Sequence, residues 1–166
     1  MNERKNAAPD LRFRKAGPGD LPAVRRLIGQ YMESLGLDLC FQGIDEELAT
    51  LPGKYAEPEG ALIVALADGE VCGCVALRSL GSGFCEMKRL YVAEGRKGLG
   101  LGRGLVAAIL AEARARGYGK MRLDTLRRME AAISLYRSFG FRETSPYVYN
   151  PIEGAVFMEK DLGAEP

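Results

Sequence analysis

The stretch Leu90–Leu105, LYVAEGRKGLGLGRGL, decides how the rest of the chain is read. It opens as the end of an apolar strand and passes through glycines at 95, 98, 100, 102 and 104. A helical pattern follows. Glycines between a strand and a helix allow positive φ and close approach of the backbone to a ligand. The free N–H groups of the helix start, helped by the helix dipole, favour an anion such as a phosphate. Arg96, Lys97 and Arg103 add positive charge to the same loop. The two common nucleotide motifs are absent. In GxGxxG read from Gly98 or Gly100, the last glycine is replaced by Arg103 or Leu105. In the Walker pattern read from Gly95, Leu101 stands where the lysine belongs.

Working outward, Phe84–Val92 reads as the strand that feeds this loop, and Arg103–Arg116 as the helix that leaves it. The helix stripe is Leu101, Leu105, Ile109 and Ala113, widened by Val106 and Leu110, and Gly117 stops it. Downstream, Met121–Thr125 predicts a strand, Glu130–Phe139 a helix closed by Gly140, and Phe141–Thr144 and Ala155–Leu162 two more strands. Upstream, Leu11–Lys15 predicts a strand. Asp20 is placed as an N-cap with Pro22 in the first turn that follows. Leu21, Val24, Leu27, Ile28, Tyr31, Met32 and Leu35 recur at helical spacing, and Gly36 ends that helix. A short helix is expected over Asp45–Leu51. Ala61–Ala67 and Val71–Arg78, around Asp68-Gly69, read as a hairpin, with a further turn at Leu80–Gly83. The order β α α β β β α β α β β, an antiparallel meander joined to βα units, predicts one α+β (mixed α/β) domain over residues 11–162. Residues 1–10 are polar and read as a tail rather than a signal peptide.

The chain has 166 residues, with 23 basic and 22 acidic side chains and a net charge of +1. A total near zero gives no reason to expect a nucleic-acid or membrane partner. The charge is unevenly placed, however. Residues 78–142 carry 14 basic and 5 acidic side chains, whereas residues 38–70 carry 1 and 8. No histidine is present, which excludes Ser-His-Asp and Cys-His catalysis and His-ligated metals. Cys40, Cys72, Cys74 and Cys85 form no CxxC pair. Cys72 and Cys74 are expected to share one strand face as packed thiols, not as metal ligands. With no apolar run long enough for a membrane span, the expected location is the cytoplasm, with reduced thiols and no metal.

Lys97-Gly98-Leu99-Gly100-Leu101-Gly102 resembles the (Arg/Gln)-x-x-Gly-x-(Gly/Ala) signature of the GNAT superfamily of acetyl-CoA-dependent N-acetyltransferases, with Lys in the first position. Ala132-Ile133-Ser134-Leu135-Tyr136-Arg137-Ser138-Phe139-Gly140-Phe141 resembles the family's A-x-x-L-Y-x-x-x-G-F element. The two stand in the family's order and cover, with their flanking elements, roughly residues 11–162. The resemblance implies a mostly antiparallel sheet flanked by helices and splayed between strands Phe84–Val92 and Met121–Thr125. It implies that coenzyme A lies in the splay. The backbone of Leu90, Tyr91 and Val92 would hold the pantetheine arm. Lys97, Gly98, Leu99, Gly100, Leu101, Gly102 and Arg103 would hold the pyrophosphate.

The resemblance further implies that Tyr136 protonates the departing thiolate; packing of Tyr136 in the core is the other reading. Glu86 falls where several members place a general base; a strand-face ion pair with Lys88 is the alternative. Strand alternation puts Glu86, Lys88, Leu90 and Val92 on one face and Cys85, Met87, Arg89 and Tyr91 on the other. The family's frequent Asn before the second element is Met129 here. Arg89, Arg122 and Arg127 are candidates to clamp an acidic acceptor, and Tyr147 sits in a loop expected at the mouth of the site. The acidic segment Leu37–Tyr55 would instead attract an amine, and both readings stand. The implied activity is acetyl transfer from acetyl-CoA to a primary amine of a small molecule, such as an amino acid, in a ternary complex. A non-catalytic acyl-CoA sensor on the same fold is the alternative. The protein is expected to be a monomer or a homodimer.

Overall fold

The computed structural model describes residues 7–37 and 43–163. Residues 1–6 of the polar tail, and Cys40 with the rest of 38–42 in the acidic segment, lie outside the described residues. The elements are β1 (Leu11–Lys15), α1 (Leu21–Leu35), α2 (Ile44–Thr50), β2 (Ala61–Ala67), β3 (Glu70–Gly81), β4 (Phe84–Val92), α3 (Leu101–Ala115), β5 (Lys120–Leu126), α4 (Glu130–Ser138), β6 (Arg142–Thr144) and β7 (Ala155–Asp161). Their order is the expected one. The strands form one seven-stranded sheet in the order β1-β2-β3-β4-β5-β7-β6. Every neighbouring pair is antiparallel except β4 and β5.

Both faces of the sheet are covered. α3 and α4 bury Leu101, Leu105, Ile109, Ile133 and Tyr136 against one face. α1 buries Val24, Leu27 and Ile28 against the other, where α2 adds Ile44 and Leu48. This explains the continuous apolar run of β2, all seven residues of which are buried: a strand covered on both sides has no solvent face to make polar. Asp20 precedes α1, but its carboxylate does not cap that helix. It accepts from the Gly17 N–H at 2.7 Å and is gripped by Arg14.

Two bulges overturn simple alternation. Between Ala65 and Leu66 of β2 the partner strand advances by an extra residue, from Gly73 to Val71. Cys72 therefore packs on the α3 face and Cys74 on the α1 face, not together. In β4 the register steps from Lys88, opposite Ala76, to Tyr91, opposite Cys74. The extra residue includes Arg89, whose φ is +59. Cys85 and Met87 face α3 before the bulge; Leu90 and Val92 face it afterwards, while Tyr91 packs toward α1. The expected grouping of Glu86 with Leu90 and Val92 is thus corrected, because a bulge shifts the two-residue period by one. β3 also continues through Leu80 to Gly81, leaving a tighter turn at Ser82-Gly83. α3 begins at Leu101 rather than Arg103, so the glycine motif runs into the first helical turn.

The short turn Gly53–Tyr55 leads back toward β2 through Gly60. A Cβ on Gly60 would lie 2.5 Å from the Tyr55 carbonyl carbon, and Tyr55 is fully buried. Backbone cannot yield as a side chain end can. Gly60→Ala is expected to destabilise the protein by about 1–3 kcal/mol, read as a lower midpoint in urea unfolding. Among the described residues no helix is long and apolar enough to cross a membrane.

Candidate active site

Strands β4 and β5 pair over only three rungs, Phe84 with Lys120, Cys85 with Met121 and Glu86 with Arg122. Beyond them the strands part. The β5-facing edge of β4 has no β5 rung from Met87 onward, and its backbone polar groups are available to a third extended chain. The opening is a cleft lined by Met87, Lys88, Arg89 and Leu90 from β4 and by Leu123, Asp124, Thr125 and Leu126 from β5. Tyr31 and Met32 of α1, Tyr136 of α4, and Asn150 and Ile152 of the β6–β7 loop complete it.

The glycine loop follows directly on β4, the strand that supplies one lip of the cleft. Gly98 and Gly100 hold φ of +83 and +81, which L side chains adopt only with strain. Gly100 caps α3 without a side chain. The first intrahelical bond there runs from the Gly104 N–H to the Gly100 carbonyl at 3.0 Å. The N–H groups of Leu101, Gly102 and Arg103 therefore precede the ladder and point out of it. The cationic side chains nearby have acidic or polar partners: Arg96 reaches Glu70 at 3.0 Å, Lys97 pairs with Glu94, and Arg103 donates to the Ser138 hydroxyl at 3.0 Å. The anion-binding capacity of the loop thus resides first in backbone.

Deeper in, Glu86 is fully buried. It accepts from Tyr147 Oη at 2.6 Å and from Arg78 Nε at 2.7 Å, and Lys88 Nζ lies 3.7 Å away. Burial pushes its pKa up, but Lys88, Tyr147 and Arg78 outweigh that and hold the carboxyl below its ordinary range. It is a fixed anion engaged on both oxygens. Burial raises the Tyr147 pKa, and the Glu86 charge raises it further. Burial lowers that of Lys88, Glu86 and Asp124 oppose it, and the charges of Arg89 and Lys54 lower it further.

Tyr136 projects from α4 into the cleft, and its ring packs edge-on to Phe141 with centroids 5.9 Å apart. The packing reading describes the ring, which belongs to the core, and the residue also lines the cleft. Burial, with Tyr31 and Asp124 nearby, lifts its pKa well above the tyrosine range, so it keeps its proton at neutral pH.

The arginines are distributed differently from expectation. Arg89 lines the cleft, but its Nε and Nη2 bond both oxygens of Glu47 at 2.8 and 2.9 Å in a buried pair. Arg122 lies on Glu159 at 2.8 Å, with its guanidinium 4.0 Å above the Phe84 ring and 5.3 Å from that of Tyr147. Arg127 is on the surface, paired with Glu143 at 2.7 Å and outside the cleft lining. Met129 turns its sulfur to the Thr125 hydroxyl at 3.8 Å. Asp124 was not singled out in the sequence, and Asn150 was read only as the amide of the loop 146–151 expected near the site mouth. Asn150 Nδ2 donates to Asp124 Oδ2 at 3.1 Å, and its Oδ1 accepts from the Ile152 N–H. The available signal was a lone carboxylate inside the apolar alternation of β5. Among the described residues no His/Cys/Asp/Glu group could hold a metal ion.

A model of the acetyltransferase (GNAT) family matches residues 28–141. A Schizosaccharomyces pombe protein named as an uncharacterized N-acetyltransferase is 44% identical over 147 residues, spanning 87% of this chain and 90% of its own length. The fold is similar to that of a GNAT-family acetyltransferase from Staphylococcus aureus Mu50, with a TM-score of 0.78 at 17% identity over 92% of this chain and 99% of that one. It is also similar to the Salmonella typhimurium acetyltransferase yncA, solved with acetyl-CoA, with a TM-score of 0.71 at 22% identity over 92% and 94%.

Proposed function

Since this chain belongs to the GNAT acetyltransferase family, we propose that it transfers an acetyl group from acetyl-CoA to the primary amine of a small molecule. The observation that carries this reading is the cleft itself: an unpaired strand edge leads from an anion-receptive helix start to a protonated tyrosine. The strand edge Leu90–Val92 fits an extended amide-bearing arm. The N–H groups of Leu101–Arg103 and the positive-φ glycines 98 and 100 fit a pyrophosphate that approaches backbone closely. In bound form, acetyl-CoA supplies a thioester carbonyl activated toward an amine.

The chain's own residues then have separate tasks. Tyr136 holds a proton at its hydroxyl, placed for the sulfur that leaves as the C–S bond breaks and the C–N bond forms. The amine must lose its proton before attack, so a carboxylate near it is useful. Glu86 suits that task poorly: a carboxyl held below its usual range is a weak base, and both its oxygens are engaged. We assign Glu86 instead to positioning, where it ties Lys88 and the Tyr147 loop to the acceptor side. The buried free thiols Cys72, Cys74 and Cys85 support a reducing compartment such as the cytoplasm.

Two measurements test the proposal together. Titration calorimetry with acetyl-CoA should show saturable 1:1 binding. A thiol-release assay with an amine panel should show acceptor-dependent turnover. Binding without release for every amine would favour an acyl-CoA sensor, and absence of binding would overturn both readings.

A further inference from the structure

The last paired rung of β4 and β5 is Glu86 with Arg122. Two residues further along each strand stand Lys88 and Asp124. In a two-residue repeat they share the face of that rung, at equal depth in the splay, and the β4 bulge begins only after Lys88. Had the strands stayed paired, these two side chains would lie side by side. The divergence separates them, and no ion pair joins them within 4 Å among the described residues. Both line the cleft with Tyr136.

Each has charge to spare. Lys88 and Arg78 share the single carboxylate of Glu86, so the β4 lip carries a surplus cation. Asp124 has the neutral Asn150 as its bonded partner, so the β5 lip carries an anion. A neutral or singly charged acceptor would leave one lip unmatched. An acceptor with both charges close together bridges them.

We infer that the acceptor is a zwitterionic α-amino acid whose carboxylate is held by Lys88 and whose ammonium is held by Asp124. This rests on the acetyl-transfer reading above. The ammonium gives one proton to solvent through Asp124, its nitrogen forms the new C–N bond as the thioester C–S bond breaks, and the nitrogen then loses a second proton to solvent to leave the neutral amide. The sulfur takes the Tyr136 proton, which solvent restores. One proton is released per acetyl group transferred.

The test is steady-state thiol release by the full chain with acetyl-CoA and the common α-amino acids, each beside its primary amide and its decarboxylated amine. For the preferred amino acid, kcat/KM should exceed that of the amide and the amine by about ten- to a hundredfold, the worth of one charge-assisted contact. Lys88→Met should collapse that ratio toward one, chiefly through KM, and Lys88→Arg should restore much of it. Asp124→Asn should raise KM for the amino acid about tenfold or more. Amides and simple amines turned over as well as amino acids, or a ratio that Lys88→Met leaves unchanged, would overturn the inference while leaving acetyl transfer intact. Acetyl-CoA binding with no release for any amine would instead overturn the transfer reading and this inference with it.

Discussion

Replacing Tyr136 by Phe is expected to lower kcat about a hundredfold while the dissociation constant for acetyl-CoA stays within about twofold. The size follows from what one positioned proton donor contributes, about 10²–10⁴ in rate. The selectivity follows from the geometry. The Tyr136 ring packs against Phe141 and belongs to the core, and Phe retains that packing. Phe differs from Tyr only by the hydroxyl and keeps the shape of the ring, so little change in stability is expected. Folding and function are thereby separated at one oxygen atom. Single-turnover kinetics alongside equilibrium binding would check this. A Tyr136→Phe enzyme with undiminished kcat would show that the sulfur obtains its proton elsewhere, and Tyr136 would revert to a purely packing role.

The second large effect concerns stability. Glu47→Gln is expected to destabilise the fold by about 3–5 kcal/mol, the usual cost of leaving a buried charge without its counter-ion. Arg89 is the charge in question. It sits in the β4 bulge at φ +59, an unfavourable conformation for a long side chain. Its bidentate bonds to Glu47 at 2.8 and 2.9 Å hold it there. Tyr55 donates to the same carboxylate at 2.7 Å, and Lys54 lies 3.3 Å from it. Burial works against the Glu47 charge, but Arg89, Tyr55 and Lys54 outweigh it and bring the carboxyl to about 2. For a carboxylate whose folded pKa lies below its unfolded value, the unfolded state binds the proton first as pH falls. The pair therefore contributes fully above about pH 4.5, and that contribution is lost between there and about pH 2. Thermal unfolding should show Tm lowered by about 10 °C at pH 7. The gap between wild type and Glu47→Gln should narrow as pH drops through that window. A constant gap from pH 7 to pH 3 would place the Glu47 contribution in packing rather than charge.

The element order and the glycine loop were legible because they depend on local physics. Helical spacing in α1 and α3 and the glycines at 98 and 100 need no knowledge of neighbours. The pairing of Glu86 with Tyr147 was not legible. The two are 61 residues apart, and α3, β5, α4 and β6 lie between them along the chain. Nor was the fate of the arginines. A guanidinium reads the same in a sequence whether it faces ligand or carboxylate, and the structure provides acidic partners for Arg89, Arg122 and Arg127. The two bulges were hidden for a related reason. An extra residue in a strand is defined by its partner's register; in β4 the consecutive charges Lys88-Arg89 interrupt the alternation at the bulge, but two polar residues in a row do not by themselves distinguish a bulge from a solvent-facing position.

The sequence by itself determined an α+β chain with an anion-receptive loop between a strand and a helix, since periodicity and glycine conformation are properties of the nearest residues. Only the tertiary structure decided which charges face the cleft. Three rungs of parallel pairing set where β4 and β5 part, and that point leaves Lys88 and Asp124 opposite one another across the opening. Their juxtaposition is a matter of register between strands more than thirty residues apart, and register is settled by packing on both faces of the sheet.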